Sequence, residues 1–101
     1  MTLPSGLVLP AEPIAELCRR HRVKRLSVFG SQARGDAQPD SDIDFLVEFE
    51  EGAEVGLIEY AALSRELSEV VGRKVDLVSR RGLKPLIRES VLREAVSAYA
   101  A

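Results

Sequence analysis

The sequence has little cysteine, no long apolar run and no strong excess of charge of either sign. Cys18 is its single cysteine, so no disulfide can form within the chain and no cysteine-based zinc site can be built. Because a lone thiol suits a reducing compartment, we expect a cytoplasmic protein. No apolar stretch is long enough to cross a membrane. The formal net charge of -2 provides no positive field to attract DNA or RNA, so direct nucleic-acid binding is not expected.

The length of 101 residues fits a single domain with a modest hydrophobic core. We therefore predict one domain over residues 1–101, with no room for a separate substrate-binding domain. Part of any substrate site is then expected to come from the substrate itself or from a second chain. Residues 1–12 are interrupted by proline and glycine, which predicts an irregular, loose N-terminal arm. This arm lacks the basic start and the long apolar run of a signal peptide.

Hydrophobic periodicity divides the rest of the chain into alternating helices and strands. The predicted helices span residues 13–22, 55–71 and 84–98, with a short helical turn at 31–34, and the predicted strands span 23–29, 42–50 and 74–79. This order predicts an α/β or α+β fold in which helices flank a small mixed sheet. The pattern leaves the order of the strands in the sheet open.

Two aspartates, Asp42 and Asp44, begin the most regular of the predicted strands. Side chains two residues apart on a strand point to the same face, about 7 Å apart along the backbone. Their carboxylates can lean together onto one or two divalent cations, and oxygen ligands favour Mg²⁺. Two cations about 4 Å apart suit in-line phosphoryl transfer, because they hold the attacking and the leaving oxygen.

A candidate phosphate-binding turn, Gly30-Ser31, precedes this aspartate pair at the end of a predicted strand. Glycine allows the backbone to approach a phosphate closely, and the first amides of the following helical turn point at it. Only the loop of residues 35–41 separates the turn from the aspartates. Each feature alone is weak evidence, but their order and spacing together favour metal-dependent chemistry on a phosphate.

A third carboxylate, Asp76, lies midway along the predicted strand 74–79 and faces away from Val75 and Leu77. On a neighbouring strand it would meet the aspartate pair. A charged side chain in a core strand is costly unless it is paired or bound to a metal. The alternative is an exposed position on an edge strand.

A calcium loop is a competing interpretation of the same acidic segment. Asp40, Asp42 and Asp44, with Glu51 at the twelfth position, imitate the spacing of an EF-hand. That loop requires glycine at its sixth position, where this sequence has Phe45. We therefore reject the calcium interpretation.

The segment G-S-x-A-R-G, a short polar loop and then S-D-I-D-F-x-V resembles the signature of the DNA polymerase beta-like nucleotidyltransferase superfamily. The later segments R-K-V-D-L-V and L-K-P-x-I-R-E resemble its minimal branch, the MNT-domain antitoxins. The resemblance extends from Ile14 to Ala95. It implies the nucleotidyltransferase fold and an enzyme that moves a nucleoside monophosphate from a nucleoside triphosphate to a hydroxyl group.

The resemblance also assigns roles to the three acidic residues. By this likeness, Asp42, Asp44 and Asp76 would be the catalytic residues and the ligands of a two-metal Mg²⁺ site. Asp76 would share one metal ion and help to deprotonate the attacking hydroxyl. Since all three positions are intact in this sequence, the resemblance implies an active enzyme.

The remaining assignments concern ATP, the co-substrate that the resemblance implies. Gly30 and Ser31 would hold its triphosphate, and Arg34 would steady the motif or the phosphates. Gln32 stands where basic residues are common in the family, so we expect a weaker phosphate contact there without loss of activity.

A partner protein is a further implication of the resemblance. Minimal nucleotidyltransferases pair with a HEPN-domain toxin, often a ribonuclease, and add AMP to one of its tyrosines in a type VII-like toxin–antitoxin system. Two other functions stay open at this stage. The chain could neutralise the toxin as a non-catalytic binding module, or it could modify a small molecule.

Overall fold

The computed structural model describes residues 1–101 as four helices around a four-stranded sheet. The helices are α1 (Ala11–Arg20), α2 (Ser31–Arg34), α3 (Leu57–Val71) and α4 (Pro85–Glu94), and the strands are β1 (Val23–Phe29), β2 (Ile43–Phe49), β3 (Val75–Ser79) and β4 (Val96–Ala100). A single 3₁₀ turn, Arg80–Gly82, joins β3 to the segment before α4. The predicted α/β class with a small mixed sheet is confirmed.

The sheet has the strand order β3-β2-β1-β4. Strand β1 pairs antiparallel with both β2 and β4, whereas β2 and β3 run parallel. A parallel pair needs a crossover connection, and α3 provides it between β2 and β3. β2 is a central strand, with β1 on one side and β3 beside its residues 43–47 on the other.

The two faces of the sheet are covered unequally. Helices α1 and α3 pack on one face and form the main core with Phe45 and Val47 of β2. The alternate residue Leu46 points to the other face, where it packs with Leu83 and Val91 of the α4 region in a cluster of three buried residues. Side chains alternate along a strand, so Asp44 lies on this second, less covered face.

The N-terminal arm, residues 1–10, is irregular but not loose. Leu3 and Leu9 are 2% and 1% exposed and belong to the main core, and Thr2 forms an isolated β-bridge with Val8. The expectation of a loose arm is therefore wrong. Proline and glycine exclude a regular helix here, but they do not prevent the leucines between them from being buried.

The last predicted helix is also wrong at its end, over residues 95–98. Helix α4 ends at Glu94 rather than at residue 98, and Val96–Ala100 form β4 against the free edge of β1. Val96 and Ala98 pack against the main core as strand residues. The alanines favour a helix in isolation, but the unpaired edge of β1 provides backbone partners that override this local preference. No helix of the structure has both the length and the apolar character to span a membrane.

Candidate active site

The Gly30-Ser31 turn lies where β1 passes into α2. Gly30 has φ +74° and precedes the four-residue helix, which ends at the left-handed Gly35 with φ +88°. The predicted short helical turn at 31–34 is confirmed. A Cβ atom built on Gly30 would overlap Oδ2 of Asp44, so the turn and the carboxylate are in direct contact. Position 30 thus requires glycine for two reasons: its positive φ, and the lack of space for a Cβ atom beside Asp44.

Two of the predicted carboxylates face each other across the parallel strand pair. The Cα atoms of Asp44 and Asp76 are partners in the β2–β3 register. Asp44 is half-buried, while Asp76 is exposed on the edge strand β3. Burial raises the pKa of the Asp44 carboxyl above its ordinary value, and the negative charges of Asp76 and then Asp42 raise it further. Both alternatives considered from the sequence therefore hold for Asp76: it is exposed on an edge strand, and it lies opposite Asp44 of the aspartate pair.

The third carboxylate, Asp42, lies just before β2 and is exposed. Its Oδ2 is 3.9 Å from Nζ of Lys74, so its side chain is engaged with the start of the neighbouring β3 segment. No group of three or more His, Cys, Asp or Glu side chains is close enough together to hold a metal ion as the side chains stand. Asp42 would have to turn away from Lys74 to join the other two aspartates.

The donor chemistry nevertheless fits a divalent cation such as Mg²⁺. Three carboxylates lie at the same end of β2 and β3, where burial and then the charges of Asp76 and Asp42 raise the pKa of Asp44. A hard cation accepts oxygen ligands and would offset the repulsion between these charges. Asp42, Asp44 and Asp76 are thus the residues that would hold Mg²⁺, which would supply positive charge to the phosphate groups.

Arg34 at the end of α2 points to this region as well. Its Nε donates a hydrogen bond to Asp36 at 3.2 Å, and its Nη1 donates to Glu94 at 3.2 Å. These two hydrogen bonds, with Asp36 the larger contributor, raise the pKa of the Arg34 guanidinium above its ordinary value. Arg34 is therefore a cation at neutral pH.

Glu94 was not singled out from the sequence, and its contacts make it part of the site. Besides Arg34, its Oε1 accepts a hydrogen bond from the backbone N–H of Gly30 at 3.1 Å. The charge of Glu94 is also among those that raise the pKa of Asp44. No sequence signal marks this residue, because a glutamate within a predicted surface helix is ordinary.

Gln32, the position at which we expect a weakened phosphate contact, is hydrogen-bonded within the protein. Its side chain is 2% exposed, accepts a hydrogen bond from Ser5 Oγ at 2.5 Å and donates one to the carbonyl oxygen of Ser41 at 3.3 Å. Arg73 donates to the same carbonyl at 3.1 Å. Gln32 thereby ties the N-terminal arm and the residue before Asp42 to α2.

A glycine turn that touches a strand carboxylate, with a second carboxylate directly opposite on a mixed sheet, is the arrangement of a nucleotidyltransferase. The Nucleotidyltransferase domain family matches residues 12–98, nearly the whole chain. The protein belongs to this family, and it is a nucleotidyltransferase enzyme.

Two similar proteins indicate the minimal branch of the nucleotidyltransferases. The protein adenylyltransferase MntA of Thermococcus cleftensis is 44% identical over 81 residues, which are 80% of this chain and 80% of that protein. The solved structure of a candidate minimal nucleotidyltransferase is 51% identical, with a TM-score of 0.72 over 85% of this chain and 86% of that one.

A more distant structure shares the fold alone. It is that of a tri-AMPylated Shewanella oneidensis HEPN toxin in complex with an MNT antitoxin, and the matched chain is 20% identical with a TM-score of 0.65. The match covers 90% of this chain and 70% of that chain. The architecture of minimal nucleotidyltransferases is thus preserved at low sequence identity.

Proposed function

We propose that this nucleotidyltransferase is a protein adenylyltransferase that transfers AMP from ATP to a tyrosine hydroxyl of a HEPN-domain toxin and so neutralises it as the antitoxin of a type VII-like pair. The observation that carries the proposal is the contact of the Gly30 turn with Asp44, which in turn lies opposite Asp76. The relative that is 44% identical and named a protein adenylyltransferase supports AMP and a protein acceptor. The HEPN partner follows from the family resemblance.

The chemistry needs three groups near the α-phosphorus atom of ATP: the acceptor hydroxyl, a metal ion and a group that receives the proton of the hydroxyl. The acceptor oxygen attacks the α-phosphorus, the bond from that phosphorus to the bridging oxygen breaks, and pyrophosphate leaves with the electron pair. Mg²⁺ held by the aspartates would neutralise charge that builds up on the phosphates. Asp76 is the carboxylate best placed to receive the proton of the hydroxyl, because it is exposed on the edge strand and opposite Asp44.

The triphosphate is assigned to the turn between β1 and α2. Gly30 and Ser31 present backbone N–H groups at the start of α2, and Arg34 contributes a permanent positive charge at its end. The site keeps the α-phosphate beside Asp44, because Gly30 and Asp44 are in contact. These assignments make Gly30, Ser31 and Arg34 the nucleotide-binding residues of the proposal.

An acceptor on a second protein fits the incomplete cover of this face. Only the short α4 lies over the second face of the sheet, and it buries Leu46 while Asp76 stays exposed. Among the elements from α1 to β4, none lies over Asp76 and could hold a small acceptor there. A side chain presented by another folded protein would supply the missing part of the site.

The test is a transfer assay with ATP labelled at either the α- or the γ-phosphate. We expect the HEPN partner to gain label from α-labelled ATP in the presence of Mg²⁺, and none from γ-labelled ATP. The double variant Asp42→Asn with Asp44→Asn should transfer nothing. Asp40→Asn, the same substitution on an exposed residue of the preceding loop, is the matched control and should behave as the unmodified protein. Transfer from the γ position, or equal transfer by the double variant, would refute the proposal.

A second candidate function, a non-catalytic binding module, has one observation in its favour. Three large apolar side chains are almost fully exposed, namely Leu57 and Ile58 at the start of α3 and Leu86 in α4. Exposed apolar groups of this size suit a protein interface. If the double aspartate variant still binds the toxin and still protects cells from it, binding is the function and transfer is incidental. A variant that binds and does not protect supports catalysis.

A further inference from the structure

The Glu94 carboxylate is hydrogen-bonded to donor groups that the proposed function assigns to another anion, the triphosphate of ATP. Its Oε1 accepts the backbone N–H of Gly30 at 3.1 Å, and its two oxygens lie 3.5 and 3.2 Å from Nη1 of Arg34. Gly30 and Arg34 are two of the three groups assigned to the triphosphate of ATP. The inference drawn from these contacts therefore rests on the proposed function.

A carboxylate and a phosphate compete for such donors. A backbone N–H has one proton, so it can make one strong hydrogen bond at a time. Arg34 has more donors, but its Nε is already engaged by Asp36. A triphosphate next to Glu94 would also add several negative charges beside two carboxylates, because Glu94 is bonded to Gly30 and Asp44 is in contact with it. Both anions cannot bind at full strength.

We propose that Glu94 is a built-in competitor of the nucleotide: its carboxylate takes the triphosphate's place on Gly30 and Arg34, and ATP binds only by displacing it. The contact keeps the turn ordered while the nucleotide is away, because the amide of Gly30 and the guanidinium of Arg34 retain an anionic partner. It also lowers the affinity for ATP, since two charge-assisted contacts must be exchanged.

The location of Glu94 makes the displacement feasible. It is the last residue of α4, and the next residue, Ala95, is already extended with φ -62° and ψ 136° before β4 begins. Its side chain is 24% exposed, so it borders solvent. A rotation about the side-chain bonds moves the carboxylate into water without a shift of α4, whose hold on the sheet comes from Val91 one turn earlier.

The experiment measures the affinity of the full chain for inorganic tripolyphosphate and for Mg²⁺–AMP-PNP by calorimetry at low salt. Glu94→Gln keeps the shape and an oxygen acceptor but removes the charge. Glu94→Asp keeps the charge but withdraws it by one methylene group. Glu89→Gln, on the exposed side of the same helix and paired only with Arg93, changes the net charge by the same amount and is the control. Thermal unfolding verifies that each variant is folded.

We expect Glu94→Gln to bind both ligands more tightly by a factor on the order of ten, with a smaller gain for Glu94→Asp and none for Glu89→Gln. Equal or weaker binding by both Glu94 variants, with the unmodified protein still binding, would overturn the competitor role and make Glu94 a residue that positions the turn. If neither the unmodified protein nor any variant binds AMP-PNP, the proposed function fails, and this inference fails with it.

Discussion

Replacing Asp44 with asparagine is expected to make the metal-free protein more stable. The native Asp44 carboxylate is half-buried, and burial together with the charges of Asp76 and Asp42 raises its pKa. A raised pKa means that the ionised carboxyl is less favourable in the folded than in the unfolded chain, so it lowers the free energy of unfolding at neutral pH. Asparagine has nearly the same shape and no charge.

The size of the effect follows from the strand geometry. Neighbouring strands lie about 4.8 Å apart, so two carboxylates on one face are about 6 Å apart and repel by about 0.7 kcal/mol in water or about 2.8 kcal/mol at an effective dielectric constant of about 20. Solvent contact and the lost attraction to Arg34 reduce this effect, so the expected gain in the free energy of unfolding is near the lower of the two values, at about 1 kcal/mol. For a domain of this size, that is a rise in Tm of about 4–8 °C.

The assay is thermal unfolding in EDTA and then in excess Mg²⁺, with Asp40→Asn as the control. Asp44→Asn should melt above the unmodified protein in EDTA, and this advantage should disappear as the pH falls through the raised pKa to the ordinary value of 3.8, where the native carboxyl is protonated. Mg²⁺ should stabilise only the protein that retains Asp44, by about 2.7 kcal/mol at a hundred times its Kd. A lower Tm of Asp44→Asn in EDTA would refute the argument.

Three further results are expected. Gly30→Ala should abolish AMP transfer, because its Cβ overlaps the Asp44 carboxylate. It should also lower the free energy of unfolding by about 1–3 kcal/mol, because φ +74° with ψ -154° is a backbone conformation that essentially only glycine adopts. Unchanged transfer would contradict the contact. Glu66 is bonded to His21 at 2.6 Å and has a lowered pKa, so the stability that it contributes should be complete above pH 4.5 and lost as the pH falls below it. In denaturant unfolding, the free energy of unfolding of Glu66→Gln should therefore converge with that of the unmodified protein in acid. A difference that stays constant with pH would count against the pair. Cys18 is fully buried with its pKa raised to about 11, so a thiol reagent should label it only on unfolding; rapid labelling of the native protein would contradict this burial.

Several elements could be predicted from the sequence because their signals are local. The alternation in β2 and the glycines at 30, 35 and 72 mark the strand, the turn and the helix end without reference to the rest of the chain. The proximity of Asp76 to the aspartate pair was one of two alternatives that the sequence allowed, since an acid central in an apolar strand needs either a partner or an exposed edge; the structure provides both. These features depend on periodicity and backbone angles, which short stretches of sequence contain.

The errors concern residues whose state depends on distant partners. Val96–Ala100 form a strand because β1 has a free edge, and no local pattern in the alanine-rich end reports that edge. Leu3 and Leu9 are buried because α1 and the sheet leave space for them, although their segment is irregular. Glu94 joins the site across 64 positions of the chain, a contact that only the fold reveals.

The central claim is tested most directly by the intact mass of the HEPN partner after incubation with this protein, ATP and Mg²⁺, beside reactions with Asp42→Asn and with the control Asp40→Asn. We predict a gain of one or more whole AMP units on the partner with the unmodified protein and with Asp40→Asn, and none with Asp42→Asn. An unchanged partner mass, while a stable complex of the two proteins still forms, would contradict the claim and leave binding as the function.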